Sequence, residues 1–194
     1  MPGERDWMAS YQNSGLYKDI DIVEYHNASK LLWKNSMFDS YIGYRAPSNF
    51  RSQYINTTKE GFRKTAQYQK GLKESKTVVF FGGSTMWGSG ATDENTIPSH
   101  FAKYINEEYS EVDFFVKNYG LGGFQNSQEM FLFLRTVGFE KMNYAIFYDF
   151  VNEAGMGLSD YRVETRQLPA SQKSLEKIRR EIEDVHNKHN IELI

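Results

Sequence analysis

The feature that most constrains this chain is an alternation that begins near residue 71. Three short apolar runs, "KTVVFFG" (76–82), "VDFFVKN" (112–118) and "NYAIFYDF" (143–150), are separated by segments with helical spacing. The runs are rich in β-branched and aromatic residues, with apolar side chains at neighbouring positions, as strands buried on both faces require. In "NTIPSHFAKYINEEY", Ile97, Phe101, Tyr104 and Ile105 fall at i, i+4, i+7 and i+8 and predict one buried helical face. Asn95 or Thr96 can cap that helix, and Pro98 is tolerated in its first turn. "SQEMFLFLRTV" predicts a second helix, and "SQKSLEKIRREIEDVHNKHN" a third, with Leu175, Ile178, Ile182 and Val185 on one face. "IELI" then begins a fourth strand. Such alternation predicts an α/β fold with a parallel sheet and right-handed crossovers. Ligands of open parallel sheets sit beyond the carboxyl ends of the strands. Loops 82–95, 118–126 and 149–172 therefore carry the functional expectation.

Residues 1–70 have no clear period and read as an N-terminal lead-in to an α/β domain over 71–194. Within them "VEYHNASKLLWKNSMF" predicts one helix, and "YRAPSNFRSQYINTTKEGFRKT" reads as irregular. The net charge of -2 argues against a general attraction to nucleic acid or anionic membranes. The chain has no cysteine, which excludes disulfides, thiolate metal sites and a cysteine nucleophile. No cofactor or metal site is expected. No run of apolar residues is long enough for a transmembrane helix, and the first residues lack a signal-like apolar core. The default expectation is a cytoplasmic chain, with a periplasmic or cell-surface location as the alternative.

The first of the three loops opens with "FFGGSTMWGSG", where a strand ends at Gly82-Gly83 and presents Ser84 at once. A phosphate cradle is disfavoured by spacing: from Gly83 to Gly88 the gap fits a P-loop, but Ser89 stands where the lysine belongs. The dinucleotide fingerprint is absent, and Met86 takes the place of the last glycine of a G-x-S-x-G elbow. A plain turn with a capping serine remains open for Ser84 alone. Taken together the loops offer more. A serine nucleophile needs donors aimed at the oxyanion it creates. Gly123, in "NYGLGGFQN", can offer an unobstructed backbone N–H, and Asn152, in "DFVNEAG", a side-chain N–H. Asn118 is expected to order its loop, and Trp87, Tyr119 and Phe124 to pack, or else to line a pocket.

These three blocks, in order, resemble the SGNH, or GDSL-type, hydrolase superfamily. "FFGGSTMWGSG" is similar to its serine block, with Gly83 where aspartate is commonest. "NYGLGGFQN" is similar to its second block, and "YDFVNEA" is a weaker match to its G-x-N-D block, with Phe150 and Glu153 in place of the glycine and aspartate. "GGST…TIP", "NYGLGGF" and "YDFVNEA", with the lead-in "YINTTKEGFRKT", look most like bacterial members linked to cell-surface polysaccharides. The resemblance spans roughly residues 45–155. It implies a three-layer α/β sandwich with a parallel central sheet, SGNH or flavodoxin-like. It also implies Ser84 as nucleophile, with Gly123 and Asn152 as oxyanion donors. The expected substrate is an O-acyl ester, acetyl by preference, on a small molecule or carbohydrate.

The family's final D-x-x-H block is absent. The histidines are His26, His100, His186 and His189, and none has its spacing. Asp149 and Glu153 are expected to order their loop or face solvent. The chain therefore reads as C-terminally incomplete, the N-terminal part of a longer protein, with its base elsewhere. Alone it is expected to be weakly active or inactive toward esters, and to self-associate through an exposed sheet edge. The rival expectation is a non-catalytic carbohydrate-binding or scaffold protein on a decayed SGNH fold.

Overall fold

The computed structural model describes residues 17–148 of the chain. Its centre is β3 (Ser75–Gly82), hydrogen-bonded in parallel to β4 (Asp113–Asn118) on one side and to β5 (Tyr144–Tyr148) on the other. In register, Val78 faces Val116 on β4 and Tyr144 on β5. These are the three runs the alternation predicts, to within about one residue at each end that the described residues cover; positions 149 and 150 of the third run lie outside them.

Successive side chains of β3 point to opposite faces of the sheet, so one strand feeds two cores. Val79 and Phe81 pack with Leu32, Ile42, Tyr44, Tyr119, Phe124 and Leu132 on one face. Val78 and Phe80 pack with Met86, Ala102, Phe114 and Val116 on the other. Helix α3 (Ile97–Glu108) covers the second face, and α4 (Asn126–Val137) the first, through Leu132. The result is a mixed α/β arrangement, with a three-strand parallel sheet flanked by helices.

Thr96 caps α3 by accepting from the Ser99 N–H, and Pro98 sits in the first turn, as the sequence predicts. The face toward the sheet matches the expectation in part: Phe101 and Ile105 pack against the core of Val78, Phe80 and Val116. Ile97 and Tyr104 are exposed, while Pro98, Ser99, Ala102 and Asn106 are buried. The reason is close approach: small side chains let α3 come near the sheet. Asn106 then bonds both the N–H (2.8 Å) and the C=O (3.0 Å) of Phe114.

Within the lead-in, α1 runs over Ile22–Lys34, and Asp21 caps it by accepting from the Val23 and Glu24 N–H groups. The helix expected through Phe38 stops earlier, because Met37–Asp39 (β1) pairs antiparallel with Gly43–Arg45 (β2). Arg135 on α4 holds this hairpin through Asp39 (2.9 Å), and Gln128 holds it through the Ile42 carbonyl (2.8 Å). The next segment lies along the free edge of β4. The Gln67 and Gln69 side chains donate to the Val116 and Phe114 carbonyls, supplying the partners a neighbouring strand would give. Lys70 and Leu72 donate their backbone N–H groups to the buried Asp113 carboxylate. Among the described residues β5 is the other edge of the sheet, and Tyr144, Phe147 and Tyr148 are exposed there. No described helix is long and apolar enough to cross a membrane.

Candidate active site

The connection out of β3 goes to β4 on one side, and the connection out of β4 returns past β3 to β5. This reversal opens a crevice at the carboxyl ends of β3 and β5, where open sheets bind ligands. Ser84 follows the end of β3 and opens α2 (Ser84–Trp87), a single turn closed by Gly88 in the left-handed conformation. Two glycines set its position by close approach. A Cβ on Gly82 would lie 2.7 Å from both the Met86 Cβ and the Tyr148 carbonyl oxygen. One on Gly120 would lie 2.6 Å from the Trp87 nitrogen. The turn bearing Ser84 is thus held tightly between the loop after β4 and the end of β5.

Asn118 orders this arrangement, as expected. Its side chain donates to the Met86 carbonyl (2.8 Å) and accepts from the Gly120 N–H (3.0 Å). The loop after β4 is tied to β3 by the Leu121 N–H on the Gly82 carbonyl (3.0 Å). Gly123 sits at its apex with φ 83°, a conformation that strains any residue with a Cβ. Its neighbour is fixed from the lead-in: the Tyr44 hydroxyl donates to the Gly122 carbonyl, and the Trp33 ring lies 3.5 Å from where a Gly122 Cβ would stand. Burial pushes the Tyr44 phenol up to about 12, so it stays protonated and keeps donating. Burial, then the Glu140 carboxylate that accepts its hydroxyl, also raises the Tyr119 phenol.

The Ser84 hydroxyl makes no hydrogen bond to any described residue, and the backbone N–H groups of Ser84 and Gly123 donate to no described partner. Ser84 lines an open cavity of about 380 Å³ with Thr85, Ser89, Asn95 and Ile97. Gly123 does not line that cavity. Asn152, Asp149 and Glu153 lie outside the described residues, as do His186 and His189. His100 is exposed on α3, and His26 stands on α1 beside a separate cavity. Trp87, Phe124 and Tyr119 are buried core residues, and Trp87 and Tyr119 each also border a cavity.

Sequence reasoning did not single out Arg63. Its buried guanidinium pairs with Asp93 (2.8 Å) and donates to the carbonyls of Gly88 (3.0 Å) and Ala91 (2.6 Å). It also lies 5.5 Å from the centre of the Trp87 ring. One side chain thereby fixes the loop that leaves α2. Lone basic residues in irregular segments carry no local signal of this role. No family model and no curated protein matches the chain.

Proposed function

We propose that this chain is the core of an SGNH-type serine ester hydrolase or acyl transferase, acting on an O-acyl ester of a carbohydrate or small molecule, acetyl by preference. One observation carries the reading. On neighbouring loops at the carboxyl side of a parallel sheet, a serine hydroxyl, its own N–H and the Gly123 N–H are all left without described partners. Buried or half-buried backbone donors are normally satisfied, so donors with no partner among the described residues beside a strand end suit an incoming oxygen. The finer fold assignment, a three-layer SGNH or flavodoxin-like sandwich, belongs to the same proposal and draws on the order β4-β3-β5.

In this reading the Ser84 Oγ bonds to the ester carbonyl carbon while its proton passes to a histidine outside the described residues. The carbonyl π electrons move onto oxygen, and the oxyanion is held by the Ser84 and Gly123 N–H groups and the Asn152 amide. Collapse expels the alcohol, which takes the proton from the histidine. Water, or an acceptor hydroxyl for a transferase, then releases the acyl group by the same route.

One observation favours the rival reading, a non-catalytic binding or scaffold protein: no described side chain bonds the Ser84 hydroxyl, so no described base activates it. A fluorophosphonate probe separates the two. Covalent labelling of the full chain, lost in Ser84→Ala, is expected, at a rate limited by the base. A folded wild-type chain that resists labelling at high probe concentration would remove Ser84 from the role of nucleophile.

A further inference from the structure

A second cavity, of about 180 Å³, lies between α1 and the loop that follows Ser84. Tyr25, His26 and Ser29 form one wall, Ser89 and Gly90 the other, and the buried Trp87 adjoins them. Ser89 also lines the Ser84 cavity, so the two spaces share a wall residue. The polar groups here are hydroxyls, an imidazole and backbone. None of the described lining residues is Asp, Glu, Lys or Arg. A ligand with a full charge would meet no permanently charged side chain among them, which favours a neutral one in a half-enclosed space.

The wall is braced. The Tyr25 hydroxyl accepts the Gly90 N–H (2.8 Å), which leaves its own proton to donate. Trp87 is wedged by Arg63 and by Trp33, whose ring centre is 5.0 Å away. The volume equals roughly six waters at about 30 Å³ each, below the 300 Å³ or so of a drug-sized pocket. That is room for a single six-membered ring. Several hydrogen-bonding groups around a ring-sized space beside the Tyr25 ring suit a polyhydroxylated ring.

We propose that this cavity binds one neutral sugar ring, and that the ring belongs to the substrate whose ester reaches Ser84 past Ser89. Its link to Ser84 rests on the nucleophile reading, whereas the binding itself does not. The test is saturation-transfer NMR and tryptophan fluorescence on the full chain, with methyl glucopyranoside as the neutral probe and glucuronate as the charged one. Saturable binding of the neutral sugar is expected, with weaker binding of glucuronate. Tyr25→Phe, which keeps the ring and removes one hydroxyl, is expected to weaken binding about five- to tenfold. Ser29→Phe, which fills the space, is expected to abolish it. Absence of saturable binding, or unchanged affinity in a folded Tyr25→Phe, overturns the proposal. Fluorophosphonate labelling of Ser84 is read in the same samples. Sugar binding without labelling overturns the nucleophile and leaves the cavity standing; labelling without sugar binding does the reverse.

Discussion

Replacing Arg63 by methionine should be among the most damaging single changes in this chain. The side chain has no solvent exposure, and its Nε meets the Asp93 carboxylate at 2.8 Å. Its terminal nitrogens serve the carbonyls of Tyr54 (3.3 Å), Trp87 (3.4 Å), Gly88 (3.0 Å) and Ala91 (2.6 Å). Methionine keeps the apolar stem and removes every donor. Removing one partner of a buried pair costs about 3–5 kcal/mol. The orphaned carbonyls add to that, while Asp93 recovers something, because Asn56 still donates to both of its oxygens. A loss of about 4 kcal/mol is expected, a large share of the roughly 5–15 kcal/mol that holds a domain together. In urea, with a slope of about 2 kcal/mol/M, the midpoint should fall by roughly 2 M. Tryptophan fluorescence is a direct readout, because Trp87 lies against the guanidinium. Arg63→Lys should keep part of the charge attraction but recover less than half of the loss, since one ammonium cannot span the same carbonyls. A midpoint within about 0.5 M of wild type for Arg63→Met, a loss under about 1 kcal/mol, would refute the reasoning.

Acid should destabilise the fold. Burial pushes the Asp113 carboxyl up, but the backbone N–H groups of Lys70, Leu72 and Gly71 outweigh it and hold the group below its ordinary value. Asp39 is likewise lowered: burial opposes, while Arg135 and the Tyr41 and Ile42 N–H groups prevail. A depressed folded value means stability that is present above the unfolded value of about 3.9 and is lost as pH falls through the folded one. Urea midpoints should therefore be steady from neutral pH to about pH 5 and fall below about pH 4, less steeply in Asp113→Asn; a chain that gains stability on acidification would contradict this. Gly120→Ala should cost about 1–3 kcal/mol, because its Cβ would meet the backbone of Met86 and Trp87 at under 3 Å. An unchanged thermal midpoint would mean that the loop after β4 does not press on the turn bearing Ser84.

What the sequence disclosed and what it hid follow from how far each contact reaches along the chain. Val78, Val79, Phe80 and Phe81 are consecutive and all buried, so composition alone marks β3 as a strand covered on both faces. The glycines around Ser84 were legible for the same local reason: a strand that stops at Gly82 and turns at once needs room there. On α3 the local signal was right for Phe101 and Ile105 and wrong for Ile97 and Tyr104, because hydrophobic periodicity ranks positions by apolar size. Contact with the sheet selected Ala102 and Ser99 for being small and Asn106 for bonding Phe114. The lead-in hid most. Gln67 and Gln69 bond β4 carbonyls 49 and 45 residues away, and Arg63 bonds Gly88 across 25. Such polar contacts leave no period for a window of neighbours to detect. The change of pattern at residue 70 is a change in local spacing, yet Leu32, Tyr44 and Phe62 share one core with Phe81, Trp87 and Phe124. The consequence reaches the site. Tyr44 and Trp33 fix Gly122, Arg63 fixes Gly88, and between them they set the two loops that present Gly123 and Ser84. The candidate site residues Ser84 and Gly123 sit in the part with clear periodicity, and much of what holds them still comes from the part without it.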